Sequence, residues 1–126
     1  MKADVIVVGA GIAGLVTALG VADAGCTTIV LCKGKLGEIA ATAWAQGGIA
    51  AALGEDDAPI FHARDTLQAA AGIADPKIVA VLTEEAPAAI ELLVRTGVEF
   101  DRDASGNLFL GREAAHAHRR IVHAGG

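Results

Sequence analysis

The chain has 126 residues and a formal net charge of −5, is 53% hydrophobic, and carries one tryptophan, three phenylalanines and no tyrosine. That length allows one domain with a sizeable core, burying roughly two thirds of the unfolded surface. The alanine- and glycine-rich, aromatic-poor composition favours close helix–strand packing over a β-sandwich, and the acidic balance argues against a nucleic-acid-binding surface.

Cys26 and Cys32 form neither a C-x-x-C pair nor a metal-ligand set, so reduced thiols and a cytoplasmic location are expected. No charged residue interrupts Val5 to Ala22. Asp4 at the head of this run and the glycines at 9, 11, 14 and 20 nevertheless argue against a membrane span or signal peptide. Ala24–Gly25–Cys26 has the outline of a lipoprotein cleavage site, but Asp23 stands where that site needs an aliphatic residue. No membrane association is expected.

In chain order, Val5 to Val8 read as a buried parallel strand running into Gly9, Gly11 and Gly14 at G-x-G-x-x-G spacing. In a dinucleotide-binding turn the first glycine allows the tight bend, and the second lets a pyrophosphate approach the backbone. The third lets the next helix pack against the strand. Ile12, Leu15, Val16, Leu19 and Ala22 recur at helical spacing and predict that helix from about Ile12 to Ala24. Thr28 to Cys32 predicts a second parallel strand, closing a β-α-β unit over residues 4–33. Where a nicotinamide-binding fold carries an acid at the end of that strand, this chain has Cys32 and Lys33, which weakens a simple NAD-binding reading.

Residues 34–54 are rich in small side chains and contain Trp44 and the pair Gly47–Gly48, which would let a flat ligand or another strand come close. Spacing alone slightly favours a packed connection there. After an acidic turn from Glu55 to Pro59, Ile60, Ala63, Arg64, Leu67 and Ala71 predict a helix with one apolar face. Asp75–Pro76 predicts the cap and first residue of another helix, with apolar positions continuing to Val94. Pro87 predicts a kink or a break into two helices, the second capped by Thr83.

Val98–Phe100 and Leu108–Leu110 flank DRDASGN and predict a hairpin. Its tip starts like a calcium loop but has Arg112 where a bidentate glutamate is needed, so a solvated turn is the better reading. Between Arg112 and His123 lie Glu113, His116, His118, Arg119 and Arg120. The spacings match no common zinc pattern and adjacent arginines repel a cation, so no metal is expected. An anion site suits the charges, and a solvated basic face is the alternative.

Taken together, DVIVVGAGIAGL, LCKG, TAWAQGGIAAALGEDD, DTLQAAAG, GVEFDRD and GREAAHAHRRIVHAGG resemble the L-aspartate oxidase family. That family is grouped with the flavoprotein subunits of fumarate reductase and succinate dehydrogenase. The resemblance implies an α/β, Rossmann-like FAD-binding domain with a parallel sheet, here incomplete at its C-terminus. It implies oxidation of L-aspartate to iminoaspartate by hydride transfer to the flavin, as the first step of NAD biosynthesis, with oxygen or fumarate as electron acceptor. By the same resemblance Gly9, Ala10, Gly11, Ile12, Ala13 and Gly14 would hold the FAD pyrophosphate, and Lys33 would lie beside the adenosine portion. Ala41, Thr42, Ala43, Trp44, Ala45, Gln46, Gly47 and Gly48 would line the flavin, and Glu113 would orient the substrate. The basic residues after Glu113 would sit near the flavin and the substrate carboxylates.

Ala41 stands where fumarate reductases carry a histidine bonded to the flavin, so non-covalent FAD is implied. The oxidases usually have serine there, and Ala117 replaces another expected serine. Each missing hydroxyl is worth about 0.5–1.5 kcal/mol of net hydrogen bonding. The resemblance places the proton-transfer arginine and the capping domain after Gly126, so the isolated chain is expected to be catalytically incomplete. A fumarate reductase-type subunit and a non-catalytic dinucleotide-binding fragment are the alternatives.

Overall fold

A computed structural model of the chain describes residues 2–38, 40–45 and 47–125. It is an α/β structure of two compact units, Met1–Gln46 and Gly47–Gly126. The 34–54 stretch contributes to both.

In the first unit β1 (Val5–Val8) pairs in parallel with β2 (Thr28–Leu31), Val5 opposite Thr28 and Val8 opposite Leu31. Helix α1 (Ile12–Asp23) joins them. The Asp4 carboxylate accepts the Thr27 N–H at 2.8 Å and ties the two strand starts together. The expected strand and helix are present, but the strand is not buried on both faces. Side chains alternate across a strand; Val7 is buried, whereas Ile6 and Val8 are exposed. The only α-helix of this unit among the described residues covers the Val7 face.

The second unit pairs β3 (Ile49–Ala50) with β4 (Ile121–Val122), antiparallel. Helices α2 (Pro59–Ala69) and α3 (Pro76–Arg95) pack against each other. The core gathers Ala51, Ile90, Phe100 and Val122, with Leu53, Ala86, Leu93, Val94, Leu108 and Leu110 against it. The expected hairpin is reduced to a single bridge, Arg102 with Leu108. Asp103 Oδ1 accepts the N–H groups of Ser105 and Asn107 and closes the turn. The ladder of this unit lies instead between Ile49–Ala50 and the 121–122 segment, which carries no alternating pattern long enough to announce a strand.

Asp75 caps α3 as the sequence predicts, accepting the Lys77 N–H at 2.8 Å. The expected break at Pro87 does not occur. The helix runs from Pro76 to Arg95 unbroken, and Thr83 is no cap: its hydroxyl donates back to the Val79 and Ala80 carbonyls. Val79, Thr83 and Ile90 form a buried stripe on one face. Burying that stripe outweighs the local cost of proline, because helices in proteins are held more by packing than by propensity. Pro87 has no N–H for the Thr83 carbonyl, so Pro87→Ala should add a helical bond and raise stability by about 1 kcal/mol. A higher urea unfolding midpoint would report it.

Candidate functional site

The first unit holds a cleft of about 520 Å³ between the glycine turn, the end of β2 and the 33–42 loop. Of the predicted residues, Gly9, Ala10, Gly11, Lys33, Ala41 and Thr42 line it. Gly9 has φ +109°, a conformation that side-chain-bearing residues rarely adopt. A Cβ at Gly14 would collide with the Gly9 carbonyl oxygen, so only glycine lets α1 start this close to the strand. Gly11 faces the cleft, with only the Thr42 hydroxyl 3.5 Å from where its Cβ would be.

Ile12, Ala13 and Gly14 form the first turn of α1. The Ile12 N–H donates to Thr42 Oγ1 at 3.1 Å, so a residue thirty positions away helps to cap the helix. Thr42 was expected beside the flavin; this hydrogen bond was not legible from its spacing. Ala41, Thr42, Ala43 and Trp44 form a single 3-10 turn, with Trp44 77% exposed. Ala45 follows and is exposed. Gln46 lies outside the described residues. Gly47 and Gly48 belong to the second unit.

In that unit the polar chemistry centres on Arg120, which is 0% exposed. Its Nε and Nη2 donate to the two carboxylate oxygens of Asp57, each at 2.8 Å, and its Nη1 lies 3.1 Å from Asp65 Oδ2. Asp65 Oδ2 also accepts the Ala117 N–H at 2.8 Å, and His116 Nδ1 is 3.4 Å from Arg120 Nη1. Arg120 is thus fully engaged inside the protein and does not offer its guanidinium to an anionic ligand, contrary to the expectation from sequence. Asp57 and Asp65 hold it.

This cluster also corrects the expected face of α2. Ile60 and Arg64 are exposed; Ala63 is buried as expected, and His62 and Asp65 are buried beside it. His62 is 3% exposed, packs edge-on to His116 with ring centroids 5.2 Å apart, and leaves its Nδ1 without a hydrogen-bond partner. Burial, then the nearby Arg120 and His116, hold its pKa below the ordinary 6.5, against the opposing pull of Asp57 and Asp65. The remaining imidazoles serve other partners. His118 stacks on Phe61 and lies 3.5 Å from Asp56, and His123 Nε2 lies 2.9 Å from Glu113 Oε1. Glu113 is 53% exposed, a carboxylate within reach of a ligand.

Comparison with known proteins gives the cleft its class. Residues 4–126 match the FAD binding domain family, and the chain belongs to that family. It is 51% identical over all 126 residues to L-aspartate oxidase of Streptomyces coelicolor, and 50% identical over 121 residues to that of Mesorhizobium japonicum, spanning 22% and 23% of their lengths and 100% and 96% of its own. The structure of Mycobacterium smegmatis Sdh1 in complex with UQ1 superimposes with a TM-score of 0.92 at 30% identity, over 99% of this chain and 21% of that one. The cofactor of the family is FAD. The cleft suits its pyrophosphate: an open glycine turn, a helix start and the flanking Lys33 and Lys35 offer donors and positive charge. No helix among the described residues is long and apolar enough to cross a membrane.

Two outcomes follow from the Arg120 cluster. Arg120→Met strands two buried carboxylates and should cost about 3–5 kcal/mol, read as a lower denaturant midpoint. With its pKa lowered in the folded chain, His62 takes up its proton at a lower pH than in the unfolded chain, where it titrates near the ordinary 6.5. Stability should therefore hold above pH 6.5 and fall as the pH drops below it, by at most about 1.4 kcal/mol per pH unit from this group. Melting temperatures between pH 8 and 5 check this, and His62→Gln should flatten the fall.

Proposed function

We propose that this chain is the N-terminal part of an FAD-dependent L-aspartate oxidase, forming iminoaspartate as the first step of NAD biosynthesis in the cytoplasm. The observation that carries the reading is the 51% identity to a named L-aspartate oxidase along the entire chain, through both the glycine cleft and the Glu113–His123 segment. When bound, FAD would take the hydride leaving the substrate and pass the electrons to oxygen or fumarate.

The chain's own residues would do the rest. Backbone N–H groups from Gly9 to Gly14 would bind the pyrophosphate, aided by the dipole of α1, and Lys33 would lie beside the adenosine portion. The Ala41–Gly48 stretch would line the flavin, and the methyl group of Ala41 can form no covalent bond to it. Glu113 would orient L-aspartate by meeting its ammonium group, the one cation the substrate carries. A fumarate reductase or succinate dehydrogenase flavoprotein is the second reading, favoured by the fold likeness to Sdh1. It lacks the histidine that it would need at position 41.

The protein expressed at the full length of its reading frame should be yellow, and acid precipitation should release all of its flavin into the supernatant. Flavin retained in the pellet would overturn the non-covalent assignment. Oxygen uptake or fumarate reduction dependent on L-aspartate should accompany the colour, and its absence would overturn the oxidase reading.

A further inference from the structure

His123 leaves the buried strand β4 directly after Val122, which is 1% exposed, and its carbonyl accepts the Asp101 N–H at 2.8 Å. Its backbone is therefore held on both sides. Gly48 leaves room for its ring, and Gly111 lies on the other side of it. A Cβ at Gly48 would collide with Ile121 Cγ2 and the Val122 carbonyl oxygen and would stand 2.8 Å from His123 Cδ2, whereas one at Gly111 would make only ordinary contacts, 3.5 Å from His123 Cε1 and 3.7 Å from Glu113 Oε1. The imidazole and the carboxylate meet beside Gly111, in a slot that the missing side chain of Gly48 keeps open. His123 is 24% exposed and Glu113 53%, so the anchored partner is the histidine and the outward group is the acid.

We propose that His123 is a positioning residue for Glu113: in the slot that Gly48 keeps open beside Gly111, its Nε2 holds the Glu113 carboxylate where it meets the ammonium group of an amino dicarboxylate substrate. This rests on the reading of Glu113 as the substrate-orienting acid. Its consequence is selectivity for the amine. A dicarboxylate without an ammonium group, such as succinate, gains nothing from a correctly held Glu113, whereas L-aspartate does.

The test uses the protein at the full length of its reading frame. His123→Ala should raise KM for L-aspartate about tenfold, with a smaller fall in kcat and little change in inhibition by succinate. His123→Gln, which keeps a donor near the Nε2 position, should restore most of the loss. An unchanged KM, an equal loss of succinate and flavin binding, or a glutamine variant no better than alanine would overturn the proposal. Independently of activity, Glu113→Gln should shift the ring nitrogen signals of His123 in the 15N-histidine spectrum, and an unmoved signal overturns the contact itself. Unaltered protein that fails to turn over L-aspartate overturns the oxidase reading, and with it the substrate half of this proposal, while leaving the spectrum to judge the pair.

Discussion

The second unit depends on one buried cation. Arg120, fully enclosed, joins the 54–58 turn through Asp57, helix α2 through Asp65, and its own segment through His116. Breaking such a cluster is far costlier than its net contribution to stability, because whichever charge remains has been taken from water without compensation. The arrangement therefore specifies geometry more than it adds stability. It sets which side of α2 turns inward, and it brings the backbone of Ala117 onto Asp65. The strand that follows, Ile121–Val122, starts from that fixed point and lies against Ile49–Ala50.

The first unit is governed by steric exclusion. The helix can begin where it does only because position 14 has no side chain and position 9 takes a left-handed backbone. These constraints are local, which is why the β-α-β unit was legible from residues 4–33 by spacing and β-branched runs alone. The cap at Asp75–Pro76 was legible for the same reason. It needs only its own neighbours.

What could not be read shares a different cause. Asp57 and Arg120 are 63 positions apart, and nothing near Asp57 distinguishes a carboxylate that will be buried from one that will be solvated. The apolar pattern of α2 suggested an Ile60 face, yet the helix serves a polar partner supplied from the far end of the chain. The break expected at Pro87 failed for a related reason, since a true local penalty was outweighed by burial of the Val79, Thr83 and Ile90 stripe against the rest of the unit. Of the candidate site, the glycine turn was legible from its spacing, and Lys33 lines the same cleft. The company that Glu113 keeps was not legible, because it depends on a histidine ten positions on whose place is set by strand pairing with the distant Gly48 segment.

The hydroxyl of Thr42 on the Ile12 N–H gives the glycine cleft a further property. The helix start is preorganised, with a neutral acceptor already at one of the donors that a phosphate would want. An arriving diphosphate would exchange with this acceptor rather than meet a bare N–H. The gain at that donor is then only the difference between a charged and a neutral acceptor. Less ordering would remain to be done for such a ligand, so the turn would exchange some affinity for a shape that exists beforehand.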